Sequence, residues 1–151
     1  MLPARDDLTI CFAHAAYRMQ DRFVLRNTGI RSIEVRDRAA LDASVGAADV
    51  LVVSGLWDDA LIPRASKLRF IQSISAGVDQ YGKDALRGAG VRLASAQGAN
   101  ARAVSEHAMA LILALSRLLP EARDNQAKRV WRGMIGDLAR REDELGGKFA
   151  A

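Results

Sequence analysis

One cysteine, three prolines and only a few aromatic residues in 151 positions leave this sequence without several devices that small proteins use to hold themselves together. A single thiol cannot close an internal disulfide, so a disulfide-stapled scaffold is excluded. Cys11 lies inside an apolar run and reads as a small buried hydrophobe. A reactive thiol needs a lowered pKa, and no neighbour in sequence supplies one. Charge of one sign is also lacking: 22 basic residues face 18 acidic ones, for a net charge of +4. The two signs are interleaved, as in Arg36-Asp37-Arg38 and Arg140-Arg141-Glu142-Asp143-Glu144. That pattern describes a solvated surface rather than a nucleic-acid footprint, and no nucleic-acid partner is expected. The most apolar segment, Ala108 to Leu115, falls far short of the roughly 20 residues that span a bilayer. The opening residues, Met-Leu-Pro-Ala-Arg-Asp-Asp, contain no apolar stretch fit for a signal peptide. A soluble, cytoplasmic protein with no membrane partner is the expectation.

What is present is aliphatic. Half the residues are hydrophobic, enough for one domain with a real core, and the length is too short for two full ones. Short β-like runs alternate with helical ones. Residues 8–13, 30–35, 49–54, 68–74 and 91–94 read as strands. Residues 14–27 have apolar positions at helical spacing (Tyr17, Phe23, Val24), with Gly29 placed to stop the helix. Residues 39–47 and 84–87 read as shorter helices, the latter closed by Gly88 and Gly90. Val50-Leu51-Val52-Val53 is a continuous β-branched and leucine run, as in strands covered by helices on both faces of a parallel sheet. Five β-α units predict an α/β fold: a flavodoxin-like, doubly wound, parallel five-stranded sheet with right-handed crossovers.

After Asn100 the pattern changes. Residues 104–119 form one strong predicted helix, with Asn100 as its cap. Its apolar residues, among them Val104, Met109, Leu111, Ile112, Leu113 and Leu115, surround most of the axis. A helix apolar all round is expected to be buried all round. One five-stranded domain covers a single side, so the other calls for a second domain or subunit. Pro120 suits the first turn of a following helix over 121–131.

In an open parallel sheet, ligands bind beyond the carboxyl ends of the strands. That rule selects Ser54-Gly55-Leu56-Trp57, Ser75-Ala76-Gly77-Val78-Asp79 and the segment from Ser95 to Asn100. Small residues there let backbone N–H groups approach a carboxylate. A glycine at a strand end is also an ordinary turn residue, and Trp57 suits packing as well as specificity. No Gly-x-Gly-x-x-Gly fingerprint is present: Gly77, Gly82, Gly88 and Gly90 have the wrong spacing and context. His14 has no partner in sequence and reads as structural.

Two segments carry a resemblance. Leu68 to Asp79, ending in Gly77-Val78-Asp79, and Asn100-Ala101-Arg102-Ala103-Val104-Ser105-Glu106-His107-Ala108 are similar to the D-2-hydroxyacid dehydrogenase family, whose second motif is Asn-x-x-x-Val-Ala-Glu-His. Ser105 departs from the family's alanine. The resemblance implies that the backbone of Ala76, Gly77 and Val78 grips a substrate carboxylate, that Asn100 lies at the substrate pocket, and that Val104 lines the nicotinamide side. It also implies a small 2-oxo or 2-hydroxy acid as ligand, bound weakly, and NAD or NADP as cofactor of the parent enzyme. The helix from Val104 to Leu119 becomes an interdomain and homodimerisation helix. The chain then divides into a substrate-binding domain (1–100), interdomain and dimerisation helices (101–131), and a stub (132–151) leading to a missing cofactor domain.

The family's catalytic Arg, Glu and His come later in its sequence than these segments. Glu106 and His107 are therefore read as packing and interface residues, and no catalytic residue, metal site or bound cofactor is expected in this chain alone. The expectation is the N-terminal part of such a dehydrogenase, inactive by itself. Two alternatives differ in class. A stand-alone flavodoxin-like sensor of the receiver type would need acidic residues at the end of the first strand, where Ala13-His14 stand. An interaction protein would be a shortened subunit that dimerises with an intact partner.

Overall fold

Five short strands, Thr9–Ala13 (β1), Arg31–Val35 (β2), Val50–Val53 (β3), Phe70–Ser73 (β4) and Arg92–Ala94 (β5), build the first part of the chain in the computed structural model, which describes residues 2–148. They form one all-parallel sheet in the order β2-β1-β3-β4-β5, the doubly wound arrangement expected from the sequence. The helices between them are Met19–Val24 (α1), Arg38–Ser44 (α2) and Lys83–Gly88 (α3). Helices Ala101–Ser116 (α4) and Leu119–Ala127 (α5) follow. The chain divides into two compact units, Met1–Ala99 and Asn100–Ala151. Phe149-Ala150-Ala151, the end of the expected stub, lies outside the described residues.

The core of the first unit follows from strand alternation. Register aligns Cys11 with Leu51 and Leu51 with Ile71, all three fully buried on one face. Leu41 of α2 and Leu86 of α3 close over that face, with Leu61 from the 3-10 segment Asp59–Arg64, which the sequence reading did not identify. Each such leucine contributes roughly 1.5–3 kcal/mol relative to exposure. The other face is covered less completely. Phe12 of β1 packs against Phe23 of α1 with ring centroids 5.3 Å apart, but Val52 and Phe70 are only half-buried. The expectation that the β3 run is covered on both faces therefore holds fully on one face only.

Three helix expectations need correction. The helix predicted over 14–27 shrinks to α1. His14 Nδ1 accepts hydrogen bonds from the amides of Ala16 (3.0 Å) and Tyr17 (2.8 Å), and its ring stacks on Tyr17 at 4.3 Å. This closes a turn where the first helical turn would form, and Tyr17, Val24 and Leu25 are exposed. The exit uses Asn27 (φ 46°) before Gly29 (φ 74°), so the helix ends earlier than the glycine signal suggested. Second, Asn100 occupies the cap position of α4 and its carbonyl accepts the Val104 amide at 2.9 Å, but its side chain makes no capping bond. Third, Leu118 (φ 50°) breaks the helical run in a left-handed conformation, so α5 starts at Leu119 and ends before Trp131, which is fully exposed.

The described residues of this chain do not themselves cover the long helix. No residue of α4 is buried, and Val104, Leu111 and Leu115 are 56%, 53% and 70% exposed. No single helix among the described residues is long and apolar enough to cross a membrane; α4 and α5 are bent by 64° at their junction.

Candidate functional site

Because all five strands are parallel, their carboxyl ends share one edge, and the order of strands reverses direction between β1 and β3. The loops leaving β1 and β3 flank that reversal and the loop leaving β4 follows on the next strand, along the edge where open α/β sheets place their ligands.

The loop after β4 is fixed at both ends and open in its middle. At its start, the amide of Ser75 donates to the buried Ser73 hydroxyl at 3.2 Å, and the Ser75 carbonyl accepts the Ala96 amide at 3.0 Å. The hydroxyls of Ser54 and Ser75 are 2.6 Å apart. At its far end, Asp59 Oδ1 accepts from the Gly82 amide (3.2 Å) and from Trp57 Nε1 (2.8 Å). Tyr81 donates its hydroxyl to the Val53 carbonyl at 3.2 Å. Any side chain at Gly82 would collide with the Asp59 carboxylate, so glycine is required there by packing. Trp57 is 7% exposed and belongs to the core, which favours the packing reading over a role in specificity.

Between these anchors, the amides of Ala76, Gly77, Val78, Asp79 and Gln80 have no hydrogen-bond acceptor among the described residues. Four of these five residues are exposed, so water meets their amides in the free chain, and an external acceptor at this strand end can take its place. Gly77 does not have the positive φ that would demand glycine, and a Cβ there would meet only Asp79 Oδ2, at 3.7 Å. Neither backbone nor packing requires glycine at this position; its effect is to leave the loop approachable. Asp79 belongs to this loop, and its carboxylate, beside the open face of Gly77, would oppose an anion placed there.

The remaining sequence candidates belong elsewhere. Ala76, Gly77 and Val78 share this loop in the first unit. Asn100 and Val104 belong to the second unit, at the cap position and in the first turn of α4, and both are exposed. Glu106 pairs with Arg102 (3.4 Å) along the helix, and neither it nor His107 is buried. Cys11 is fully buried, and desolvation raises its pKa to about 11, which rules out a thiolate nucleophile at neutral pH. No group of three or more His, Cys, Asp or Glu suited to a metal ion occurs among the described residues. A cavity of about 1080 Å³ lies within the second unit, beside α5. Two of its arginines serve internal ties, Arg132 to Glu142 and Arg141 to the Ile135 carbonyl. The sequence reading selected the loops after β3 and β4 but missed the Ser54–Ser75 contact and the Asp59 clamp. Both depend on pairs 21 or more residues apart.

A family model described as D-isomer specific 2-hydroxyacid dehydrogenase, catalytic domain, matches residues 12–142. The chain belongs to this family. It is 32% identical over 105 residues to D-3-phosphoglycerate dehydrogenase of Mycobacterium leprae, a match covering 68% of this chain and 20% of that protein. It is 35% identical over 133 residues to erythronate-4-phosphate dehydrogenase of Salinibacter ruber, covering 85% and 33%. The fold is similar to that of an NAD-dependent formate dehydrogenase from Staphylococcus aureus solved with NAD, with TM-score 0.62, 19% identity, and coverage of 83% and 43%. The chain thus spans a third or less of the length of these two curated relatives.

A nicotinamide dinucleotide requires a glycine-rich strand-to-helix turn that receives its pyrophosphate. The residues here do not fit it. The turn from β1 to α1 runs His14-Ala15-Ala16-Tyr17-Arg18, without glycine, and the second unit contains no strand among its described residues.

Proposed function

We propose that this chain forms the substrate-binding part of an oxidoreductase that interconverts a small 2-oxo acid and its D-2-hydroxy acid. One observation carries the reading: five consecutive unpaired amides, Ala76 to Gln80, at the carboxyl edge of the sheet in a chain of this family. Ala76, Gly77 and Val78 hold the substrate carboxylate. The donors are neutral dipoles held at both ends of the loop, so little ordering is required when the anion arrives. The similarity of Asn100 to Ala108 to the family's second motif supports a substrate role for Asn100 and a nicotinamide-side role for Val104. Residues 1–100 constitute the substrate-binding domain, 101–131 the interdomain and dimerisation helices, and 132–151 a stub toward a cofactor domain.

NAD or NADP supplies or takes the hydride in the complete reaction and is held by residues other than these. The loop's own titratable side chain, Asp79, is a carboxylate that repels the substrate's, and no cofactor-binding turn accompanies it, so by itself this chain binds substrate weakly and does not turn it over. Calorimetric titration with NADH and NADPH tests the first point; a micromolar dissociation constant would sink it. For the substrate site, oxalate or glyoxylate is titrated while backbone amide shifts are followed. Saturable shifts at Ala76 to Gln80, with millimolar or weaker affinity, are expected. Shifts confined to the arginines of residues 117–141 would remove the proposal.

We further propose that the helix region from Val104 to Leu119 is covered by a second copy of this chain. Seven of its large apolar residues, including Leu111, Leu113 and Leu115, are exposed, and a closed two-fold pairing buries one patch on both subunits at once. Sedimentation equilibrium is expected to give a dimer that Leu111→Lys and Leu115→Lys convert to monomer. A strict monomer at high micromolar concentration would exclude this arrangement.

A further inference from the structure

We propose that Ser75 supplies a side-chain donor to the bound carboxylate, and that Ser54 orients it. The inference rests on the loop reading above and adds to it a hydroxyl that the backbone alone does not provide.

The reasoning starts from a count of protons. Ser54 and Ser75 each carry one hydroxyl hydrogen, and their oxygens lie 2.6 Å apart, with either one able to donate. One hydrogen is used between them. The other has no acceptor among the described residues, although both serines are half-buried. Ser75 immediately precedes the five unpaired amides, and its own amide and carbonyl are already committed to Ser73 and Ala96. Its hydroxyl is therefore the one part of Ser75 left to act outward. When an anion docks at Ala76 to Gln80, the favoured orientation has Ser54 donating to Ser75 and Ser75 donating to the anion. A hydroxyl that accepts one hydrogen bond becomes a better donor in the next, so Ser54 strengthens the contact without touching the ligand. Ser54 leaves β3 and Ser75 leaves β4, so the pair also ties the loop to the neighbouring strand end.

Oxalate titration of the whole chain, followed by backbone amide shifts, tests this with S75A, S75T, S54A and the double variant S54A/S75A. A hydrogen bond to a charged acceptor at a partly exposed site predicts a roughly five- to tenfold weaker dissociation constant for S75A. S75T keeps the hydroxyl and is expected to stay within about twofold of the native value, since the donor is unchanged. S54A is expected to weaken binding roughly two- to threefold, and to add nothing once Ser75 is already alanine, because it acts through that residue. Native affinity in S75A, or independent additive losses in the double variant, would overturn the inference while leaving the loop site intact. Absence of saturable shifts in the native chain would remove the loop reading and this inference together. Should S75A disturb the fold, S54A decides, since its side chain lies outside the loop; native affinity there overturns the orienting role.

Discussion

The two units of this chain draw on similarly apolar sequence and put it to opposite use. In Met1–Ala99, residues from four strands and the segments between them meet in one aliphatic core. In Asn100–Ala151, neither helix buries a single residue, although α4 is the most apolar segment of the chain. Hydrophobic content alone therefore does not locate a core. A parallel sheet brings side chains of neighbouring strands within contact through backbone pairing, and short crossovers lay helices across them. A helix that is apolar around its circumference must be surrounded, and two helices bent by 64° cannot surround one another.

The largest effects should fall on the sheet unit. Leu51→Ala, at a fully buried position, is expected to destabilise it by about 2–5 kcal/mol. Leu111→Ala, at a position 53% exposed, should move the monomer's unfolding midpoint hardly at all. Denaturant unfolding of both variants at low protein concentration checks the contrast; equal losses would abolish the distinction between the units.

The single thiol sharpens the comparison, since it reports on the sheet unit alone. Burial raises the Cys11 pKa from 9.0 to about 11. Above pH 9 the unfolded chain gives up a proton that the folded chain retains, so stability is fully present below pH 9 and declines as pH rises toward 11. The loss amounts to something on the order of 2–3 kcal/mol across that interval. Urea midpoints measured from pH 7 to 11 should show the decline, and Cys11→Ala should remove its thiol-dependent part. A thiol reagent that labels the folded chain rapidly at pH 7.5 would contradict the burial itself.

Two glycines in one loop separate packing from function. Gly82→Ala drives a methyl group into the Asp59 carboxylate and is expected to cost about 1–3 kcal/mol of stability. Gly77→Ala meets only ordinary contact, so it should fold normally while weakening oxalate binding. Thermal melts and the same titration distinguish them; a Gly77→Ala variant with native affinity would mean that its open face is not used. The smallest effect is reserved for Asp79→Asn. Removing a carboxylate beside the loop should tighten oxalate binding roughly two- to fivefold, less at high salt, because exposed charges are screened. Unchanged affinity at low salt would show that Asp79 does not face the bound anion.

Much of the fold could be read from the residues. The five strands fell within a residue or two of their positions because Val50 to Val53 and its counterparts carry a local signal. The two segments around Gly77 and Asn100 pointed to the family for the same reason, since a motif is a contiguous pattern. The helix after β1 was misjudged because Tyr17, Phe23 and Val24 have helical spacing, while the competing turn depends on which acceptor His14 offers to Ala16 and Tyr17. The 3-10 segment around Pro63 gave no periodic signal of either kind.

By itself, then, the sequence determined the α/β alternation, the parallel sheet, the family, and the loop on which a carboxylate reading rests. These follow from patterns that repeat over two to four residues, or from short motifs. Only the tertiary structure decided which donors in that loop remain unpaired, that Gly82 is required by Asp59 while Gly77 is not required by packing, and that Ser54 meets Ser75. Those contacts join residues 21 to 23 positions apart, and strand register rather than local pattern sets which of them can meet.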